Sequence, residues 1–242
     1  MRPVGPYFTF LFDPPPYDGG SPVNPEAPKR TQPTGDEPIV YIVDDDVSVR
    51  ESLRLLFRSV GLSAELFESA SALLQRKLPS VPSCLVLDVR LPGLSGFELH
   101  SELTKANIHI PIIFMTAHGD IPMSVRAMKS GAIDFITKPF RDQDMLEAVT
   151  AAINRDRDRL GVERARLDLQ KRFDNLTLRE QQVMALVTTG LMNKQVAAEM
   201  GLSEITVKIH RMHVMKKMRA KSLANLVKMA EVLGISRTSP VP

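Results

Sequence analysis

Between residue 38 and about residue 155, short apolar runs rich in β-branched side chains alternate with stretches whose apolar positions recur every three or four residues. That alternation is the mark of βαβ units and a parallel sheet. Strands are predicted at Ile39–Val43, Ala64–Phe67, Cys84–Leu87, Ile110–Met115 and Asp134–Ile136. Between them, Val49, Leu53, Leu56 and Val60 keep helical spacing, Ser69 can cap 70–77, Ser95 can cap 96–105, and Pro122 can open a helix that ends before Gly131. A fifth helix starts near Asp142 and runs on through Arg155-Asp156-Arg157-Asp158-Arg159. Leu146, Ile153, Leu160 and Leu167 lie seven apart on it, one seam of a coiled coil, but the second seam is lacking and Gly161 interrupts, so the stretch reads as a solvated linker helix.

After residue 174 no strand pattern remains. Thr177-Leu178-Arg179-Glu180 has the form of a capping box, and Gly190 and Gly201 can end helices. Asn193, Ser203 and Ser222 can cap the next three, so four short helices follow. Two of them joined by a glycine turn, the second rich in cations, form a helix-turn-helix pattern. At the front, ten of the eighteen prolines fall between residues 3 and 38. Proline fixes φ and lacks an amide donor, so residues 1–37 read as a disordered arm, with a proline-rich recognition segment or an upstream translation start as alternatives. The organisation expected is an arm (1–37), an α/β domain (38–156), a linker helix (157–173) and an all-α domain (174–242).

Charge sharpens this division. The chain of 242 residues carries a net charge of only +3, yet residues 38–153 hold 11 basic and 14 acidic side chains and residues 154–242 hold 17 and 9. An acidic middle joined to a basic end points the end at a polyanion. Between 203 and 221 there are six cations against the single acid Glu204. The lone Cys84 excludes a disulfide framework, and no Cys/His zinc spacing occurs. With no membrane-length apolar run, a soluble cytoplasmic protein without a membrane partner is expected.

In a doubly wound sheet, ligands bind outside the carboxyl ends of the strands. Asp44-Asp45-Asp46 follow the first strand, Asp88 the third, Thr116 the fourth, and Lys138-Pro139 the fifth. Carboxylates gathered at one edge repel unless a cation holds them, and an all-oxygen set favours Mg²⁺. Asp88 is then a carboxylate placed to attack a phosphoryl group, with Thr116 and Lys138 able to meet its oxygens. Phe67, Cys84 and Phe114 read as sheet core, and His118 as an exposed loop residue.

Val43-Asp44-Asp45-Asp46, the segment from Leu87-Asp88 through Pro92-Gly93 to Gly96, Met115-Thr116-Ala117-His118-Gly119 and Phe135-Ile136-Thr137-Lys138-Pro139 resemble, in order, a response-regulator receiver domain, a (βα)5 flavodoxin-like fold. The resemblance implies that Asp88 is the phosphoacceptor. It also implies that Asp44, Asp45, Asp88 and the backbone carbonyl of Arg90 hold Mg²⁺, that Thr116 and Phe135 form the switch, and that Val125 and Lys129 lie at a dimer contact. Residues 174–242 resemble a LuxR-type helix-turn-helix, in which Lys208, Ile209 and Met212 would face bases. Thr206, His210, Arg211 and Asn193 or Lys194 would meet the DNA backbone, with a packed helix residue as the alternative for His210, and Lys216 belongs to the cationic run that binds DNA.

Together the chain resembles a two-component response regulator of the NarL/FixJ class. Such a regulator is phosphorylated by a sensor histidine kinase, dimerises when phosphorylated, and binds promoter DNA to act on RNA polymerase. Competing readings are an Asp-nucleophile Mg²⁺ phosphohydrolase, a flavodoxin-like FMN protein whose acids would repel the cofactor phosphate, and a DNA-binding regulator indifferent to phosphorylation.

Overall fold

The computed structural model describes residues 37–235; the proline-rich arm therefore lies outside the described residues, but for its last position. Five parallel strands, β1 (Ile39–Val43), β2 (Ser63–Phe67), β3 (Ser83–Asp88), β4 (Ile112–Thr116) and β5 (Asp134–Thr137), form one sheet in the order β2-β1-β3-β4-β5. Helices α1 (Val47–Ser59), α2 (Ala70–Leu74), α3 (Gly96–Lys105) and α4 (Ile121–Lys129) connect them, and α5 (Asp142–Asp174) follows. β1, β3 and β4 are buried throughout, as their continuous apolar runs require when helices cover both faces. Tyr41, Leu85, Leu87, Leu99 and Phe114 fill the core on one face; Ile42, Phe57, Val86, Ile113 and Met145 fill it on the other.

The helix starts follow their caps. Ser95 and Glu98 make a reciprocal capping box at α3, Ser69 caps α2, and Asp120 caps α4 ahead of Pro122. α2 stops at Leu74, three residues short of the expected 77. Asp46 caps α1, its Oδ1 accepting from the Ser48 N–H at 2.7 Å.

The linker departs from expectation. Gly161 does not interrupt α5, which is continuous for 33 residues. The heptad leucines are not a coiled-coil seam: Ile153 is buried in the sheet-domain core and Leu146 half-buried there, Leu160 is buried, and Leu167 is exposed. Asp156, placed by its charged neighbours in a solvated stretch, is buried, and its Oδ2 accepts from the Ser83 N–H at 2.9 Å. Arg164 donates to the Ser80 carbonyl. From Leu169 and Phe173 onward the same helix packs into the C-terminal core, so its wholly exposed span is only 161–168.

The C-terminal domain holds α6 (Leu178–Val187), α7 (Asn193–Met200), α8 (Glu204–Lys217) and α9 (Leu223–Leu233). Val183, Met184, Val187, Val196, Val207, Val214, Met218 and Leu226 form its core, with α8 packed across α6 and α7. Thr177, Ser203 and Ser222 cap as expected, and Gly201 closes α7 in the left-handed conformation at φ +64°. Asn193 is the exception: it is the first helical residue, Met192 holds the cap position, and the Gln195 side chain accepts from the Met192 N–H.

Candidate functional site

The parallel register assembles the site. Val43 pairs with Leu87, Asp88 with Met115, and Thr116 with Thr137, so residues 44, 88, 116 and 138 emerge side by side at the carboxyl edge of the sheet. Lys138 donates from Nζ to Asp44 Oδ2 at 2.5 Å and to Asp88 Oδ2 at 2.6 Å, and its backbone N–H binds the Thr116 carbonyl at 2.8 Å. The Lys138–Pro139 bond is cis. The other oxygens of the two acids are held locally: Asp44 Oδ1 accepts from the Asp46 N–H and Asp88 Oδ1 from the Arg90 N–H. Arg50, from α1, donates to the Asp44 carbonyl and fixes the loop.

Asp44 and Thr116 are fully buried and Asp88 nearly so, whereas Asp45 is exposed. Burial pushes the Asp44 carboxyl above its ordinary value, outweighing the Lys138 and Asp46 hydrogen bonds. Burial alone would discharge Lys138, but its bonds to Asp44 and Asp88 win and raise it, keeping the ammonium charged. One oxygen from each of Asp44, Asp45 and Asp88 lies within 4.8 Å of the others. Three hard oxygen donors at that spacing, Asp45 making no hydrogen bond among the described residues, fit a Mg²⁺-sized cation.

The switch candidates sit at the rim. The Thr116 hydroxyl accepts from the His118 N–H at 3.3 Å, and His118 itself is exposed. Phe135 is half-buried beside Gly119, where an added Cβ would stand 2.9 Å from its ring and 2.7 Å from Thr137. At Gly96 a Cβ would lie 2.4 Å from the Asp88 carbonyl, so α3 approaches β3 only through glycine. Neither close approach is visible in the sequence. Val125 and Lys129 are both exposed on α4, with Ile121 and Met128 exposed beside them.

On α8 the outward line, opposite the buried Val207, Val214 and Met218, carries Ile209, Met212 and Lys216, with Lys208 at its edge. Lys194 is exposed on α7, and Thr206 shares the Ser203 cap. His210 is half-buried on the flank. Arg211 is not turned fully outward: its Nη1 donates to Asn193 Oδ1 at 3.0 Å, tying the first residue of α7 to α8. Glu180 closes the expected Thr177 capping box and, unseen in the sequence, accepts from Lys217 Nζ at 2.6 Å, with His213 Nδ1 at 3.5 Å. Burial favours the neutral acid, but Lys217 and the Thr177 groups outweigh it and hold the carboxyl below its ordinary value.

Fold and site together define a receiver module joined by one helix to a helix-turn-helix reader. Residues 40–150 match the model of the response regulator receiver domain, and residues 174–230 that of the bacterial regulatory proteins of the luxR family. Nodulation protein W of Bradyrhizobium diazoefficiens is 64% identical over 198 residues, which cover 82% of this chain and 87% of that protein. Transcriptional regulatory protein FixJ of Azorhizobium caulinodans is 44% identical over 197 residues, 81% of this chain and 93% of its own. The solved structure of response regulator StyR superposes with a TM-score of 0.74 at 50% identity, over 81% of this chain and 98% of that one. The chain belongs to the response regulators of the NarL/FixJ class. It is a DNA-binding transcription regulator of a two-component system, not an ordinary enzyme, and the module implies a kinase partner. No described helix is long and apolar enough to cross a membrane.

Proposed function

We propose that Asp88 accepts a phosphoryl group from a sensor histidine kinase and that this event controls promoter binding. The observation that carries the reading is the Lys138 ammonium bridging Asp44 and Asp88 within a cluster that Asp45 completes. An Asp88 oxygen attacks phosphorus, forming a P–O bond as the P–N bond to the kinase imidazole breaks, and the imidazole keeps the electron pair. Lys138 then pairs with a phosphoryl oxygen and the Thr116 hydroxyl donates to another, so each moves toward the new charge. Asp44, Asp45, Asp88 and the Arg90 carbonyl would hold Mg²⁺, which supplies charge neutralisation at the transferred oxygens.

When Thr116 leaves its place beside the His118 N–H, the space around Phe135 changes, and the α4 face bearing Val125 and Lys129 becomes the dimer contact. Two copies then present two α8 helices to half-sites about one helical turn apart, with Lys208, Ile209 and Met212 toward bases and Asn193, Lys194, Thr206, His210, Arg211 and Lys216 toward phosphates. The bound dimer acts in the cytoplasm on RNA polymerase. We assign the domain limits as 38–156, 157–173 and 174–242, preceded by the arm at 1–37. The test is labelling by a small phosphodonor in Mg²⁺. The parent chain takes one phosphoryl group, and Asp88→Asn takes none; equal labelling of the two would overturn the assignment.

A further inference from the structure

The exposed face of α8 carries an unusual centre line. Ile205, Ile209, Met212 and Lys216 fall at i, i+4, i+7 and i+11, directly opposite the stripe formed by Val207, Val214 and Met218, which are fully buried. Ile205 is 73% exposed, Ile209 47% and Met212 58%. Three large apolar side chains in a row toward water require an occupant. Cations frame the line, Lys208 at one edge and Lys216 at its end, with Arg219 and Lys221 following, so the occupant is a polyanion with apolar groups of its own.

Apart from Lys208 at its edge and Lys216 at its end, the side chains that usually read bases by hydrogen bonds are missing from this line. Arg211 has the fork for guanine, but its Nη1 is committed to Asn193 Oδ1, and it lies toward the packed side. Asn193, which has the amide for adenine, is held by the same bond. What remains beside the lysines to discriminate bases is apolar contact, and the apolar group exposed in the major groove is the C5-methyl of thymine.

We propose that Ile205, Ile209 and Met212 form a methyl-reading strip that selects thymines in each half-site, with Lys208 beside the strip toward the bases and Lys216 setting register on the backbone. The inference rests on the reading of α8 as the DNA-contacting helix and adds Ile205 to it. It assigns the choice of thymine to contact with its C5-methyl, not to hydrogen-bond partners.

The full chain, treated with acetyl phosphate and Mg²⁺, is used to select duplexes from a random-sequence library. The recovered duplex is then made with thymidine or with deoxyuridine, which differ only in the methyl. Each contacted methyl lost weakens binding about three- to fourfold, so a half-site with two such contacts loses about tenfold. Ile209→Ala with Met212→Ala shrinks that ratio to less than twofold, and Ile205→Ala reduces it in part. Lys216→Ala weakens both duplexes equally and lowers the salt dependence by about one ion. Equal binding of the two duplexes by the parent overturns the strip while leaving DNA binding intact. Recovery of no enriched sequence overturns the reading of α8 itself. A variant that keeps the methyl ratio but changes its assembly mass shows the stripe to be a protein interface, which also overturns the proposal.

Discussion

Replacing Lys138 by Met keeps an unbranched side chain as far as Cε and removes the charge that sits between two buried acids. Its Nζ lies 2.5 Å from Asp44 and 2.6 Å from Asp88. At an effective dielectric of about 20, each contact attracts by roughly 6 kcal/mol before desolvation is set against it. What a deletion measures is smaller: removing one partner of a buried ion pair costs about 3–5 kcal/mol, because the remaining charge stays uncompensated. Asp44 is fully buried, but the pocket opens past the exposed Asp45, so water relieves part of the loss and about 3 kcal/mol is expected. The assay is hydrogen exchange at the β1 and β3 amides in EDTA, which reports the sheet domain separately from the C-terminal one. Mg²⁺ should then restore much of the loss, about 2.7 kcal/mol at one hundred times its Kd, and should bind Lys138→Met more tightly than the parent because a competing cation is gone. A variant as stable as the parent in EDTA, or one that Mg²⁺ leaves unchanged, would refute the account of Lys138 as the cluster's resident counter-charge.

Other consequences are equally direct. Asp156→Ala leaves the buried Ser83 N–H without its acceptor and releases Arg159, so urea unfolding should show a loss of about 2–3 kcal/mol; a loss under about 0.5 would deny α5 its anchor. Tyr41 is fully buried and its hydroxyl has no hydrogen-bond partner among the described residues; burial, with Glu65 nearby, pushes it up to about 12. Tyr41→Phe should therefore be neutral or stabilising by about 1 kcal/mol, and a clear destabilisation would reveal a partner for that oxygen. Glu180 is held below its ordinary 4.5, so its contribution is present at neutral pH and fades as pH falls below 4.5 toward the depressed value. The stability gap between parent and Glu180→Gln, read from α6 and α8 amide exchange, should be widest at pH 7 and close in acid; a pH-independent gap would contradict the Lys217 pairing.

Much of this was legible in the chain because local physics and tertiary structure agree. β-Branched runs marked each strand to within two residues at either end, and Ser95, Thr177, Ser203 and Gly201 act where their capping chemistry places them. The acidic site could be inferred because a parallel sheet brings its carboxyl ends together whatever the loops do. What escaped were long-range effects. Asp156 sits among five alternating charges and looks solvated, yet it meets a backbone N–H 73 residues away in sequence. Gly161 costs helix propensity, but packing on both sides of 161–168 carries α5 through it. Asn193 has the chemistry of a cap and instead receives Arg211 from the neighbouring helix. The tight approaches of Gly96 to the β3 backbone and of Gly119 to the Phe135 and Thr137 side chains join groups that no spacing rule links.

The central claim is that charge on Asp88 governs what α8 does. It is tested most directly by titrating the selected duplex with the full chain, with and without phosphodonor, for the parent and for Asp88→Asn. The account predicts that phosphodonor tightens binding by the parent at least tenfold, steepens its salt dependence as two readers engage, and leaves Asp88→Asn unchanged. Equal affinity of the parent under both conditions, or the same tightening in Asp88→Asn, would contradict it.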